Sequence, residues 1–174
     1  MTNKTDASKT PARWRGWGLL TKEQALQKLR HYCGYQERSH RDAVQKLFEL
    51  GVQKTKHDEI LSLLIEEGYL NEERFALLYT GGKFRINDWG KKKILNGLKV
   101  KQVSSYIINK ALKTIDDNDY QKKLQELAQK KYKLLKGEQS LVRKKKTINY
   151  LLQKGYEPQL ITQVLAQIKE KNPY

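Results

Sequence analysis

The chain has 174 residues, 38% of them apolar, with a mean hydropathy of −0.81 and a formal net charge of +16. Such a charge favours phosphate backbones or acidic protein grooves as partners, and the modest apolar content indicates a small core under a wet surface. Cys33 is the only cysteine, which excludes an intramolecular disulfide and a thiolate zinc cluster. The first residues lack a signal-peptide pattern and no apolar run reaches membrane-spanning length, so we expect a cytoplasmic protein.

The first 20 residues are polar and show no hydrophobic periodicity, which predicts a flexible basic arm. Helical periodicity begins at Thr21, which forms a capping-box pattern with Gln24. Ser39 and Asp42 repeat this pattern and predict the start of a second helix.

A third helix is expected to open near Thr55 and to end at Gly68. Asn71 then provides a cap for the next helix, and the carboxylates of Glu72 and Glu73 suit the positive end of that helix. These signals predict a boundary between two structural units just after Gly68.

A self-comparison of the chain finds one spacing of residues three times. Leu47, Gly51, Ile60 and Leu64 stand 4, 9 and 4 positions apart. The spacing recurs in two later sets, Leu95, Lys99, Ile108 and Leu112, and Leu151, Gly155, Val164 and Ile168. With the helix-favouring composition, this predicts an all-α fold of three tandem three-helix repeats, about nine helices in an array. The predicted ranges are 1–20 for the arm, then 21–68, 69–115 and 116–174 for the repeats.

Each repeat is expected to turn back on itself after its second helix. Gly51 and Gly155 can adopt the left-handed conformation that such a turn needs. The middle repeat has Lys99 in this place, so it either adopts that conformation at a cost or turns at Gly97. The leucines four residues before the turns are expected to be equivalent buried anchors: Leu47, Leu95 and Leu151.

Most of the positive charge falls in the second and third repeats. The formal charges are +3 for the arm, 0 for the first repeat, +7 for the second and +6 for the third. The clusters Lys91–Lys93 and Arg143–Lys146 hold equivalent places near the starts of second helices. The apolar stripe expected to face inward in the third repeat is Leu141, Ile148, Leu151 and Leu152. In the second helix of the middle repeat the stripe expected to face inward is Ile94, Leu95 and Leu98. Together the two stripes predict one outward basic surface for a polyanion, formed by Lys92, Lys93, Arg143 and Lys146.

No catalytic or metal-binding pattern is recognisable, and we expect that the protein is not an enzyme. Three histidines lack paired metal spacing and are expected at the surface: His31, His40 and His57. Gly81, Gly82 and Lys83 lack the remaining residues of a phosphate-binding loop. Four aromatic side chains could stack nucleobases, although packing in a sparse core is the favoured interpretation: Trp89, Tyr106, Tyr132 and Tyr150.

Three motifs occur in a familiar order. They are Gly68–Ala76 (GYLNEERFA), Trp89–Gly90 before a basic helix, and Lys154–Tyr156 (KGY). In these motifs and in its three repeats the chain resembles the RecX family of recombinase regulators, over about residues 22–168. The resemblance implies an elongated, curved nine-helix protein that lies in the groove of the RecA filament and bridges its protomers and DNA. It also implies inhibition of the filament's ATPase, strand-exchange and coprotease activities, and hence roles in DNA repair, recombination and the SOS response.

The resemblance implies no cofactor, no small-molecule substrate and no membrane partner. With the charge pattern, it gives a set of candidate residues for binding RecA or DNA: Arg74, Lys83, Arg85, Lys91, Lys92, Lys93, Arg143, Lys144 and Lys146. Two features depart from the family pattern. Gly81 and Gly82 stand where the family usually continues a basic helix, and Lys99 replaces the glycine of the middle repeat.

Other functional classes remain open at this point. A direct, sequence-tolerant DNA-binding protein or a helix-turn-helix regulator would place the basic helix of the second repeat in a major groove. Such a protein would not need a second basic repeat. A neutral helical scaffold for protein partners fits the net charge less well.

Overall fold

The computed structural model describes residues 20–171, so the predicted arm lies outside the described residues except for Leu20. Nine α-helices follow one another in this range, and no strand is formed within it. They are α1 (Lys22–Tyr35), α2 (His40–Glu49), α3 (His57–Glu66), α4 (Glu72–Arg85), α5 (Lys91–Val100), α6 (Ser105–Leu112), α7 (Asp117–Leu134), α8 (Ser140–Lys154) and α9 (Pro158–Lys171). The predicted all-helical repeat fold is confirmed. None of the described helices is long and apolar enough to cross a membrane.

The chain forms two compact units, which divide between Asn71 and Glu72. The first contains α1–α3 and the second contains α4–α9. The helices follow the predicted order, but the division of the chain into an arm and three repeats stays a prediction.

In the first unit, α1, α2 and α3 pack against one another around a small core. Both predicted capping boxes are present: Thr21 with Gln24 begins α1, and Ser39 with Asp42 begins α2. A short 3₁₀ turn, Lys54–Lys56, precedes α3 and delays its start slightly from the predicted residue.

Two buried residues of the first unit, His57 and Cys33, carry side chains that can titrate. His57 is buried: its ring packs edge-on against Phe48, and its Nε2–H donates to the carbonyl oxygen of Val52 at 3.0 Å. The expectation of a surface histidine is wrong for this residue. Cys33 is also buried, which raises the pKa of its thiol to about 11 and keeps the sulfur protonated and unreactive at neutral pH.

The second unit has one continuous core shared by two sets of three helices. In one set α4 packs on α5 and α6, and in the other α7 packs on α8 and α9. Helix α4 runs unbroken through Gly81 and Gly82, so the glycine pair does not interrupt the helix.

The turn after the second helix has the same geometry in all three repeats. The residue in the left-handed conformation is Gly51 (φ 71°) in the first repeat, Gln102 (φ 60°) in the second and Gly155 (φ 91°) in the third. In each case the residue after it donates its backbone N–H to the carbonyl oxygen of a fully buried leucine, at 3.1 to 3.2 Å. These leucines are Leu47, Leu98 and Leu151.

The predicted register of the middle repeat is therefore wrong by three residues. Helix α5 continues past both Gly97 and Lys99, and the turn is made by Gln102. Leu98 is fully buried, whereas Leu95 is only partly buried. The repeat spacing of 4, 9 and 4 then falls on Leu98, Gln102, Ala111 and Ile115. Because Leu95 and Leu98 lie on neighbouring turns of one helix face, the apolar pattern alone does not separate them.

Candidate polyanion-binding surface

The predicted binding residues of α4 and α5 differ in how exposed they are. Arg74, Arg85 and Lys92 are exposed. Lys83 and Lys91 are each partly covered by neighbouring side chains. The ammonium of Lys91 lies 2.8 Å from Oδ1 of Asp117 and 4.8 Å from the centre of the Tyr120 ring. This hydrogen bond lowers the pKa of the Asp117 carboxyl, so the charge of Lys91 is partly neutralised within the protein.

The predicted binding residues of α8 are arranged differently from the expected stripe. Arg143 places its guanidinium 3.9 Å from the centre of the Tyr132 ring and donates to the Tyr132 carbonyl oxygen at 2.8 Å. Lys146 pairs with Glu138 at 2.7 Å. The interpretation of Arg143 as one of the most exposed residues is therefore wrong.

The reason lies in the phase of α8. Its buried residues are Thr147 and Leu151, and Arg143 precedes them at the same four-residue spacing, so it lies on that inner face. Leu141 is 77% exposed and Leu152 is 42% exposed, contrary to the prediction that both face inward. An apolar stripe read one residue out of phase misplaces the charges beside it.

A second group of lysines lies over aromatic rings at the contact between α4–α5 and α7–α8. Trp89 has the ammonium of Lys83 at 5.0 Å from its ring centre and that of Lys93 at 4.7 Å. Tyr150 has Lys131 at 5.4 Å and Lys154 at 5.9 Å. All four distances are typical of cation–π contacts. We call these six residues the lysine–aromatic junction: Lys83, Trp89, Lys93, Lys131, Tyr150 and Lys154.

Hydrogen bonds to the backbone hold the two halves of the junction together. The ammonium of Lys93 donates to the carbonyl oxygen of Gln153 at 3.0 Å, and that of Lys154 donates to the carbonyl oxygen of Asn87 at 2.9 Å. The Trp89 half and the Tyr150 half therefore form one surface, although they are about 60 residues apart in sequence.

The backbone itself makes the closest part of this contact. The N–H of Gly90 donates to the carbonyl oxygen of Lys154 at 2.8 Å, and the N–H of Lys92 donates to that of Gly155 at 3.1 Å. A Cβ atom on Gly90 would overlap the backbone of Gly155, and one on Gly155 would overlap Lys93. Glycine is required at both positions because the two chain segments touch.

A buried tyrosine fixes the helix starts beneath the junction. The Tyr120 hydroxyl accepts from the N–H of Lys91 at 2.9 Å and donates to Oε2 of Glu157 at 2.8 Å. It thereby links the beginnings of α5, α7 and α9, and its burial raises the pKa of the phenol above the usual value. The lysines of α5 are thus held in place by a satisfied polar network.

The junction carries a concentrated positive charge. In residues 20–171, none of its four lysines forms an ion pair with a carboxylate. Asp88 lies nearby, where it adds to the effect of burial in raising the pKa of Tyr150, but its own ion pair is with Lys123 at 3.3 Å. Such a surface attracts phosphates, and its rings offer flat contact surfaces.

Of the junction residues, Lys93 was predicted from the charge pattern and Lys83 from the family resemblance, whereas Lys131 and Lys154 were missed. The tyrosines Tyr79 and Tyr150 precede lysines by four residues, at Lys83 and Lys154, which is the spacing of helix neighbours. That signal was available in the sequence. The pairing of Lys93 with Trp89 was not, because it depends on the turn between α4 and α5.

Comparisons with known proteins agree with this fold. Family models match two segments: "RecX, second three-helix domain" over residues 71–112 and "RecX, third three-helix domain" over residues 117–165. The regulatory protein RecX of Clostridium perfringens strain 13 is 35% identical over 114 residues, which cover 64% of this chain and 53% of that protein. That of Bacillus mycoides is 26% identical over 140 residues, covering 80% of this chain and 52% of that protein. The chain thus spans about half the length of these curated relatives.

Solved structures show the same fold. The crystal structure of RecX from Lactobacillus salivarius superposes with a TM-score of 0.76 and 23% identity, covering 85% of this chain and 96% of that one. A second structure, of a regulatory protein RecX, gives a TM-score of 0.77 and 21% identity, covering 83% of this chain and 71% of that one.

Proposed function

The chain belongs to the RecX family, and on this premise we propose that it binds the RecA–DNA filament and inhibits its ATPase, recombinase and coprotease activities. It would act without catalysis or a cofactor, in the cytoplasm, during DNA repair, recombination and the SOS response. The name "Regulatory protein RecX" of the relatives supports a regulatory role.

The observation that carries this proposal is the placement of charge. The first repeat is neutral, while the second and third are strongly basic and meet at the lysine–aromatic junction. A filament assembled on DNA presents phosphates, and a strongly basic surface complements phosphates or acidic protein side chains. We assign binding to exposed or partly exposed cations of these two repeats: Arg74, Lys83, Arg85, Lys91, Lys92, Lys93, Arg143, Lys144 and Lys146.

The direct test measures the single-strand-dependent ATPase of the cognate recombinase with increasing amounts of the full chain. Turnover should fall as the protein saturates the filament. Unchanged turnover at saturating protein would refute the assignment. Binding that depends on duplex sequence and does not respond to recombinase would instead favour a direct DNA-binding regulator.

Two charge-reversal variants, each with three substitutions, then localise the binding surface. Arg85, Lys92 and Lys144 form no ion pair with a carboxylate in the described part of the chain, so their reversal to Glu should leave helicity and melting nearly unchanged. Inhibition should weaken strongly in this variant. If these residues contact phosphates, the slope of log affinity against log salt concentration should become less steep by about 0.7 to 0.9 for each lost contact.

The matched control reverses three lysines of the neutral first repeat, Lys28, Lys54 and Lys56, which changes the net charge equally. This variant should inhibit nearly as well as the wild type. Equal losses in both triple variants would mean that only the overall field of the protein attracts the filament.

A further inference from the structure

Resting on the proposed function, we propose that the lysine–aromatic junction is a binding site for single-stranded nucleic acid, in which an unpaired base stacks on Trp89 and the surrounding lysines hold the neighbouring phosphates. The site would distinguish unpaired strands from duplexes. It would therefore direct the protein to the strand on which a recombinase assembles.

The first support is the environment of the Trp89 ring. The indole packs along the core, yet it is only partly buried, and its ring is approached by the ammonium groups of Lys83 and Lys93. Trp89 is partly exposed, and the ammonium groups over its ring are strongly hydrated, so we expect part of the ring to be reachable from solvent. A base can replace such an exposed cation, because stacking of a base on an aromatic ring is the stronger contact.

The second support is what the displaced lysines would do. The ammonium groups of Lys83 and Lys93 lie 5.0 and 4.7 Å from the centre of the Trp89 ring. The ammonium of Lys154 is nearby, because it donates to the carbonyl oxygen of Asn87 in the loop before Trp89. Since none of them is neutralised by a carboxylate in residues 20–171, they can take the phosphates on either side of the stacked base. Tyr150, with Lys131 and Lys154, repeats the same arrangement on the other half of the surface.

The third support is the presence of aromatic rings between the lysines, which favours a nucleic acid over an acidic protein segment. Carboxylates would use the lysines, but they would leave the rings of Trp89 and Tyr150 unused. The alternation of cations and rings is typical of surfaces that follow a single strand, where each base presents a flat face. In a duplex these faces are covered by neighbouring base pairs, so a duplex offers only its phosphates.

The test uses the full chain without recombinase, so that its failure would leave the proposed function to be judged by the ATPase assay. Trp14 and Trp17 are replaced by Phe, which leaves Trp89 as the only tryptophan. Three probes are titrated: a short oligothymidine, an abasic phosphodiester strand of equal length and charge, and a duplex of the same length.

The oligothymidine should quench the Trp89 emission and bind about 5- to 150-fold more tightly than the abasic strand, as expected for one stacked base. The duplex should bind through its phosphates with little quenching. Equal affinities of the oligothymidine and the abasic strand, or no quenching at saturation, would overturn the proposal and indicate a purely electrostatic or protein-binding surface.

Substitutions at Trp89 separate stacking from packing, and because these variants lack the fluorescent reporter, their affinities are measured by the anisotropy of end-labelled probes. Trp89→Leu should remove most of the preference for oligothymidine over the abasic strand and leave only the part that Tyr150 contributes, with an unchanged salt dependence, because the phosphate contacts remain. Trp89→Phe should retain most of the preference. The matched control is Tyr106→Leu, which removes a ring that is 76% exposed on α6 and lies outside the junction, and it should have no effect.

A loss of preference in the Tyr106 variant equal to that in Trp89→Leu would also overturn the proposal. If circular dichroism shows that Trp89→Leu is misfolded, that variant is set aside. The relative affinities of the oligothymidine and the abasic strand for the chain with Trp89 and for Trp89→Phe then decide the question.

Discussion

Replacing Leu98 by alanine should destabilise the second unit far more than replacing Leu95. Leu98 has no exposed surface and its carbonyl oxygen receives the N–H of Val103 at 3.2 Å in the turn after α5. Leu95 packs on the same core but is only partly buried. The two leucines are separated by less than one helical turn, so the pair tests the register of the middle repeat directly.

The magnitudes follow from burial. Truncation of a fully buried leucine costs about 2 to 5 kcal/mol, which combines the lost transfer free energy with the cavity left behind. At about 0.8 kcal/mol for each buried methylene, a partly exposed leucine should lose about 1 kcal/mol and leave little cavity, because water fills the space. We expect Leu98→Ala to match Leu47→Ala and Leu151→Ala, whose leucines are also fully buried.

Urea unfolding measures this difference. With a slope of about 1 to 3 kcal/mol per molar urea, the midpoints of the two variants should differ by about 1 M. Emission of Trp89, in a chain whose other tryptophans are replaced by Phe, reports unfolding of the second unit. A Leu95 variant as unstable as the Leu98 variant, or a nearly neutral Leu98 variant, would contradict the three-residue correction of the repeat.

Four further predictions concern single substitutions, each measured by urea or thermal unfolding. Gln102→Gly should stabilise the protein by about 1 kcal/mol, because a residue with a side chain adopts the left-handed conformation at φ 60° there; a loss of stability would contradict this. Gly155→Ala should destabilise by more than about 2 kcal/mol, since its Cβ would overlap the α5 backbone, whereas Gly82→Ala has open space and should stabilise by up to about 1 kcal/mol; similar effects of the two would refute the contact. Tyr120→Phe should cost about 1 to 3 kcal/mol by leaving two partners unbonded, while Tyr156→Phe should be nearly neutral because its hydroxyl has no hydrogen-bond partner in residues 20–171. Burial raises the pKa of both phenols, so their contribution to stability is complete below the unfolded pKa of about 10 and is lost as the pH rises above it; Tyr156→Phe should reduce this alkaline loss, and an unchanged loss would count against it.

Helix starts could be predicted from sequence because their signals are local. Thr21 and Ser39 each bond to the backbone of a residue three positions later, so a few letters of sequence contain the whole interaction. The middle turn could not be placed, because Gln102 carries no glycine signal and its left-handed conformation is imposed by packing. Leu95 and Leu98 both fit the apolar face, and only the core distinguishes them.

The candidate site could be predicted in composition but not in arrangement. The count of charges identified the basic repeats, because formal charge is additive along the chain. The partners of individual charges come from other helices: Lys93 finds the carbonyl oxygen of Gln153, and Arg143 finds the ring of Tyr132. Such contacts depend on tertiary structure, and no local pattern contains them.

The contact between Gly90 and Gly155 limits which substitutions can be tolerated at this joint. Elsewhere in a core, a larger side chain on one element can be offset by a smaller one opposite, so two positions can change together. Here both residues are already glycine. A Cβ on Gly90 would meet the main chain of Gly155, and a Cβ on Gly155 would meet the main chain and the Cβ of Lys93. No second substitution can restore the space that a first one removes. The joint between the second and third repeats is therefore specified by main-chain hydrogen bonds, which every residue type except proline can form, and its sequence requirement is the absence of a side chain.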